Sequence, residues 1–291
     1  MMRHVRSTLA CGLLGWLFWA GISVAADPPK GGERYLRFQA GGVPSYGVLG
    51  GDRVRRLSGD LFGAFTKTEQ TYALKEVKLL PPTVPTQVLA LAGNYKSHLR
   101  DETIPPKFRI PQPFFKSPSC LIASGEAIVI PKDSPGPVHL EGELVIVIGK
   151  KACKVPRERA LDYVFGVTCG NDVSERHWQN DSESKDVQWW RAKGADTFGP
   201  VGPYIATGLN YDDLVLRSRV NGQEKQQERT SRLIHDVAST VSFISRYITL
   251  HPGDLIFTGT PGETPRIRPG DVVEVELEGV GVLRNPVVAG E

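Results

Sequence analysis

A charge excess of either sign is missing from this 291-residue chain: 35 Lys and Arg stand against 32 Asp and Glu, a formal net charge of +3. That balance demands neither nucleic acid nor an acidic surface as a partner. The basic residues are scattered (Arg53, Arg55, Arg56; Lys150, Lys151), without the interleaved aromatics of a base-stacking platform, which argues against a nucleic-acid role. Cysteine is scarce, with four in all. Cys11 lies in the leader, and the spacing of Cys120, Cys153 and Cys169 matches no zinc motif. These three are expected to be small core residues with at most one disulfide. There is no internal repeat, no low-complexity tract, and no apolar run of the ~20 residues that span a bilayer.

The leader itself reads as a secretory signal. Arg3, His4 and Arg6 precede an apolar stretch from Leu9 to Ala20, and Ser23-Val24-Ala25-Ala26 supplies small residues before Asp27. Residues 1–26 are therefore expected to be cleaved and the mature protein to be secreted or periplasmic, without membrane contact; an uncleaved anchor is the alternative. Next, "RYLRFQAGGVPSYGVLGGDRVRRL" alternates short apolar runs with Gly-Gly turns and predicts a small β module over residues 33–78. Proline-rich "LLPPTVPTQ" (79–87) has the composition of a linker.

The main domain is expected over 88–289. It opens with an apolar strand, Val88 to Ala92, broken at Gly93-Asn94, and continues through "CLIASGEAIVI", "ELVIVIG", "YVFGVTCGNDV", "VGPYIA" and "LIFTGTP". In "DVVEVELEG", Val273, Val275 and Leu277 alternate with Glu274, Glu276 and Glu278, the period of a half-buried strand. One helix is predicted, capped by Thr230 or Ser231, with Leu233, Ile234, Val237, Val241, Ile244 and Ile248 on one face and Pro252-Gly253 after it. Strands outnumber helices, so the fold class is α+β and β-rich.

Within "HLEGELVIVIG", Glu141 and Glu143 lead into a run that is otherwise apolar. Two apart in a strand, they share a face with Cα atoms roughly 7 Å apart. Two such anions require a positive partner. Asp172 follows another apolar run, just past an expected strand break at Cys169-Gly170-Asn171. Three carboxylates with no nearby Cys or His pair favour Mg²⁺ or Mn²⁺, with Ca²⁺ also possible, over zinc. Lys193, His98 and Thr260 sit in Gly- and Pro-rich or polar segments suited to presenting functional groups.

Taken in order, "GNYKSH", "HLEGELVIVIG", "GVTCGNDVSERHWQ", "KGADTFGPVGP", "HPGDLIFTGTP" and "RPGDVVEVELEGVG" resemble the fumarylacetoacetate hydrolase family from about Val88 to Val288. The β module resembles the N-terminal piece of its hydroxymuconate-isomerase-like branch. The resemblance implies a mixed β-roll catalytic domain, often dimeric, with Mg²⁺ or Mn²⁺ on Glu141, Glu143 and Asp172. It implies substrate contacts from Tyr95, Arg176, Gln179 and Thr260, and a small 2-oxo or 1,3-dioxo acid as substrate. In the hydrolase branch a His with a Glu three residues later activates water; here His98 has Asp101 at that spacing and Glu102 one further on. Glu175 and His177 replace a small residue and an acid after the metal Asp, and Glu263 and Pro265 depart from the usual "GTPAGVG". The Trp189-Trp190 pair reads as a lid, a dimer contact or core aromatics.

The expectation is an exported metal-dependent enzyme, with hydrolytic C–C cleavage first, using His98, Asp101, Glu102 and Lys193 as catalytic residues. Isomerisation or decarboxylation comes next, then a lyase or dehydratase on a hydroxy or ureido acid. A secreted oxo-acid binder that does not turn its ligand over is the non-enzymatic alternative.

Overall fold

The computed structural model describes residues 32–99 and 103–291. The expected signal peptide, Asp101 and Glu102 lie outside the described residues. Among the described residues no helix is long and apolar enough to cross a membrane.

One large mixed sheet of twelve strands organises the chain. Its path runs Phe65–Ala73, Arg53–Gly59, Val43–Gly50, Arg34–Ala40, Gly199–Ala206, Val164–Asn171, Gly142–Ile148, Leu255–Phe257, Val88–Leu91 and Pro113–Lys116. Five further strands form a second sheet that includes Val215–Val220, Val272–Leu277 and Gly281–Ala289. A three-stranded patch joins Val138–His139 to Ser174–Glu175 and Arg266–Ile267. The chain is thus β-rich with few helices, as its short apolar runs predict.

The centre of the large sheet is the strand Gly142–Ile148, every residue of which is buried. Its side chains alternate between two cores: Leu144, Ile146 and Ile148 pack with Val241, Ile244 and Val275, while Val145 and Val147 pack with Tyr35, Phe165 and Phe257. Burial on both faces explains why the run is continuously apolar instead of alternating. Each such side chain contributes about 1.5–3 kcal/mol by leaving water. The strand Val272–Leu277 behaves the other way, burying Val273, Val275 and Leu277 while its glutamates stay half-exposed.

The N-terminal β module is not a separate body. Arg34 and Tyr35 pair with Ala206 and Ile205, so the module extends the main sheet, and Tyr35, Leu57 and Leu61 share a core with Val145 and Phe257. The proline-rich segment is correspondingly fastened. The Asp254 carboxylate accepts from Thr86 N (2.9 Å), Thr86 Oγ1 (2.8 Å), Gln87 N (3.1 Å) and Gln87 Nε2 (2.9 Å).

Three sequence expectations need correction. The helix begins at Val237 and ends at Ser245, with Asp236 as its cap, its side chain accepting from Ser239 N at 2.7 Å. Thr230 starts only a short 3₁₀ turn. Leu233 and Ile234 are drawn out of the helix because Leu233 bridges to Tyr95 and Ile234 N donates to Asn94 O at 2.8 Å. Secondly, Cys169-Gly170-Asn171 does not break its strand, which runs unbroken through Val164–Asn171. Gly170 is there because a Cβ would come within 2.3 Å of Val145 and 2.5 Å of the Phe257 ring. Thirdly, Cys120 and Cys169 are buried as expected, whereas Cys153 is exposed, and all three are free thiols.

Candidate functional site

The acidic centre is assembled by strand register. Gly142 pairs with Asn171 and Glu143 with Gly170, and Asp172 N donates to Glu141 O at 2.9 Å. This brings Glu141, at the head of one strand, beside Asp172, at the end of the next. Glu141, Glu143 and Asp172 each offer an oxygen within 4.8 Å of the others, and all three residues are buried. Asn171 Oδ1 steadies the turn by accepting from Glu141 N at 3.0 Å.

Cations surround two of the three acids. Lys193 Nζ donates to Glu141 Oε2 and Asp172 Oδ2, both at 2.7 Å. Arg176 Nη2 donates to Glu141 Oε1 at 2.5 Å and to Thr264 Oγ1 at 2.8 Å, and its Nη1 donates to Gln179 Oε1 at 2.6 Å. Burial alone would raise the Glu141 pKa, but the charges of Lys193 and Arg176 outweigh it and hold this carboxyl well below the usual range. Glu143 is pushed the other way, by burial and then by the negative charges of Asp172 and Glu141. Its Oε2 accepts from Gly259 N at 2.6 Å. Gly259 has φ +98°, and a Cβ there would lie 2.9 Å from Asn94 Cβ, so the loop reaches Glu143 only as glycine.

Among the described residues, the buried Glu143 Oε1 has no hydrogen-bond partner, and the same is true of the Tyr95 hydroxyl. Burial, followed by the charge of Glu143, raises the Tyr95 pKa far above normal, so the phenol stays protonated beside this acid. An orphaned carboxylate oxygen beside two further oxygen donors fits a divalent cation of the hard type. Glu141, Glu143 and Asp172 would hold it.

His98 lies in the short helix Lys96–Leu99, and its Nδ1 is 2.8 Å from Gly262 O. Only a protonated Nδ1 can donate to that carbonyl, which leaves Nε2 unprotonated in the neutral ring. His98 is close enough to influence Glu141 electrostatically, so the imidazole belongs to the same neighbourhood. Thr260 is buried, and its hydroxyl is engaged: it donates to Gly142 O and accepts from Gln226 Nε2, each at 2.9 Å. Its visible role is to tie the "TGTPG" loop to the Glu143 strand.

The departures from the family pattern acquire structural roles. Glu175 is buried, caps the helix Arg176–Asn180 through Trp178 N and accepts from Gly136 N at 2.8 Å. His177 faces outward toward Ser184 Oγ at 3.2 Å. Thr264 holds Arg176 and lies 3.0 Å from His139 Nδ1. Burial and then the Arg176 charge lower the His139 pKa to about 4. Trp189 is half-buried, edge-on to Phe114 at 5.2 Å, and Trp190 is 68% exposed, so neither is a core aromatic. Both line a cleft of about 1160 Å³, together with Phe108, Phe115 and Lys116, that does not include the acids.

Sequence reasoning missed Lys116, which ion-pairs with Asp172 at 2.6 Å, and Gln226, which holds Thr260. The available signal for Lys116 was a cation closing the apolar run "PFFK". Gln226 sits in the polar segment "GQEKQQER" and carries no such mark.

A β-rich roll enclosing an all-oxygen acidic centre flanked by lysines defines a class of divalent-cation sites. Residues 87–288 match the family described as Fumarylacetoacetate (FAA) hydrolase C-terminal, and residues 33–82 match Rv2993c-like, N-terminal. The chain belongs to the fumarylacetoacetate hydrolase family. It is 44% identical over 237 residues to Protein Rv2993c of Mycobacterium tuberculosis, covering 80% of this chain and 87% of that one. A solved 2-hydroxyhepta-2,4-diene-1,7-dioate isomerase from Mycobacterium marinum is 38% identical, with TM-score 0.80 over 88% of this chain and 98% of that one. A maleylpyruvate hydrolase from Sphingobium sp. SYK-6, solved with manganese(II) ion and pyruvate, is 27% identical, with TM-score 0.72 over 89% of this chain and 100% of that one.

Proposed function

We propose that this protein is a divalent-metal-dependent enzyme acting on a 2-oxo or 1,3-dioxo acid, with His98 moving a proton at the carbon beside the oxo group. The observation that carries the reading is the buried acid trio whose Glu143 Oε1 has no partner among the described residues. Mg²⁺ or Mn²⁺, when bound there, supplies polarisation of the oxo group. Lys193 uses two of its three N–H donors on Glu141 and Asp172 among the described residues, so its third is available to an oxygen that gains charge. His98 Nε2, left free when Nδ1–H donates to Gly262, takes the proton and returns it either at the oxo oxygen or at the conjugated carbon two positions along, with the double bond moving to match. Arg176 and Gln179 orient the substrate carboxylate. Shifting a proton in this way is isomerisation or tautomerisation, and the likeness to the Mycobacterium marinum isomerase supports it.

Hydrolytic C–C cleavage is the second reading, favoured by the likeness to the maleylpyruvate hydrolase. In it His98 deprotonates a water, with Asp101 or Glu102 orienting the ring. Both readings include export through residues 1–26 and a homodimer; cell fractionation and light scattering test these.

Turnover of oxaloacetate, acetylpyruvate and a hydroxymuconate-type diene in D₂O, with Mn²⁺ and then with chelator, separates the readings. Metal-dependent deuterium uptake or double-bond migration without cleavage is the expected result. Stoichiometric release of two carboxylic acids establishes the hydrolase. Absence of exchange and of cleavage in every metal-loaded sample would sink the enzyme reading and favour an oxo-acid binder.

A further inference from the structure

Lys116 closes the outermost strand of the large sheet, Pro113–Lys116, yet its side chain is fully buried. A lysine in that position is costly unless every donor is met. It is: Nζ donates to Asp172 Oδ1 at 2.6 Å, to Phe198 O at 3.2 Å and to Lys193 O. An ammonium has three N–H groups, so none remains for a substrate. Two of the three acceptors are backbone carbonyls, which do not move or titrate as substrate comes and goes. Lys193 differs, since among the described residues it bonds to carboxylates, Glu141 and Asp172.

The charge arrangement follows from these contacts. Among the described residues, three buried carboxylates face three cations, Lys116, Lys193 and Arg176, each bonded to at least one of them. A divalent cation entering alone would leave the buried centre strongly positive, an arrangement that low-dielectric surroundings penalise. An oxo-acid anion entering alone lacks the cation that its paired oxygens chelate. Each therefore lowers the cost of the other.

We propose that Lys116 is a positioning residue that acts through Asp172 as the fixed countercharge of the acidic centre, so that a divalent cation and an oxo-acid anion bind there as a pair. The inference rests on the oxo-acid reading above. Lys116 sets the charge, Lys193 keeps a donor for the substrate, and Glu143 is the acid without a cation partner among the described residues. Linkage makes the coupling reciprocal: the anion tightens the metal by the factor with which the metal tightens the anion.

The test is calorimetric titration of Mn²⁺ into the metal-free protein, with and without pyruvate at a concentration where its own Mn²⁺ complex is negligible. For the wild type, pyruvate is expected to tighten Mn²⁺ by about tenfold or more. Lys116→Met is expected to bind Mn²⁺ alone more tightly than the wild type, because a repelling charge has gone, and to lose most of the pyruvate effect. Lys116→Arg, which keeps the charge, should retain the coupling. A merely structural role for Lys116 would instead weaken Mn²⁺ binding in the Met variant, and that result overturns the proposal. If Lys116→Met does not fold, the wild-type titration still decides, since Mn²⁺ affinity indifferent to pyruvate contradicts paired binding. Failure of the wild type to bind Mn²⁺ under either condition would overturn the oxo-acid enzyme reading itself.

Discussion

Two Glu-x-Glu pairs in this chain lie in strands of opposite character. Glu141 and Glu143 are 5% and 1% exposed and point into a closed acidic centre. Glu274 and Glu276 occupy the solvent face of Val272–Leu277, where Arg284 Nε lies 3.5 Å from Glu274 and Arg219 Nη2 lies 2.5 Å from Glu276. The chemistry of the side chains is the same, and the neighbours decide the outcome. Glu274 and Glu276 alternate with buried valines, so water and flexible arginines balance them. Glu141 and Glu143 lead a strand buried on both faces, where the placed cations Lys193 and Arg176 answer the Glu141 charge and a backbone N–H, that of Gly259, bonds Glu143.

Breaking the buried pair gives the largest expected effect. Glu143→Gln should leave a folded protein that loses Mn²⁺ affinity by more than the ~10–100-fold typical of changes outside the ligand shell, together with activity. Calorimetry beside circular dichroism checks this, and an unchanged Kd would remove Glu143 from the metal site.

Loss of His98 comes next. His98→Ala should lower kcat by about 10²–10⁴-fold, the usual contribution of a positioned acid or base, with Mn²⁺ binding retained. Turnover at the wild-type rate would place the proton transfer elsewhere.

A pH series sharpens the comparison without metal. Because the folded-state pKa of Glu143 is raised, the folded protein holds that proton longer than the unfolded chain, and the stability it gives is lost as pH rises above the ordinary carboxyl value of 4.5. Glu141, with a lowered pKa, contributes stability above 4.5 that is lost as pH falls toward its folded-state value. In chelator, the Tm advantage of Glu143→Gln over the wild type should therefore grow from pH 4.5 toward neutrality. A difference that is flat with pH would show that Glu143 is not a strained anion.

The surface pair gives the smallest effect. Glu276→Gln should cost no more than about 1 kcal/mol in urea unfolding, shrinking in high salt, because its arginine partners remain partly solvated. A larger loss would mean that this face is covered in solution.

Much of this contrast was legible in residue order. A continuous apolar run behind Glu141 and Glu143 signals two-sided burial, and strict alternation around Glu274 and Glu276 signals a half-buried face, because side chains project with period two. The ordered motifs picked out Glu141, Glu143, Asp172 and Lys193, side chains that the fold brings within reach of one another. Helix boundaries were less legible. Leu233 and Ile234 carry helical spacing, but Asn94 and Tyr95, well over a hundred positions earlier, claim their backbone groups. Cys153 looked like a core residue only because spacing says nothing about which side of a loop meets water.

By itself, then, the sequence determined the β-rich class, the acidic donor set and the chemistry those oxygens prefer, since these follow from local periodicity and side-chain type. Tertiary structure alone decided which charges meet. Lys116 reaches Asp172 across 56 positions, Thr260 spends its hydroxyl on Gly142, and among the described residues Glu143 keeps an oxygen without a partner. Such pairings depend on strand register and loop closure, which bring distant residues within hydrogen-bond range and have no signature in the order of neighbours along the chain.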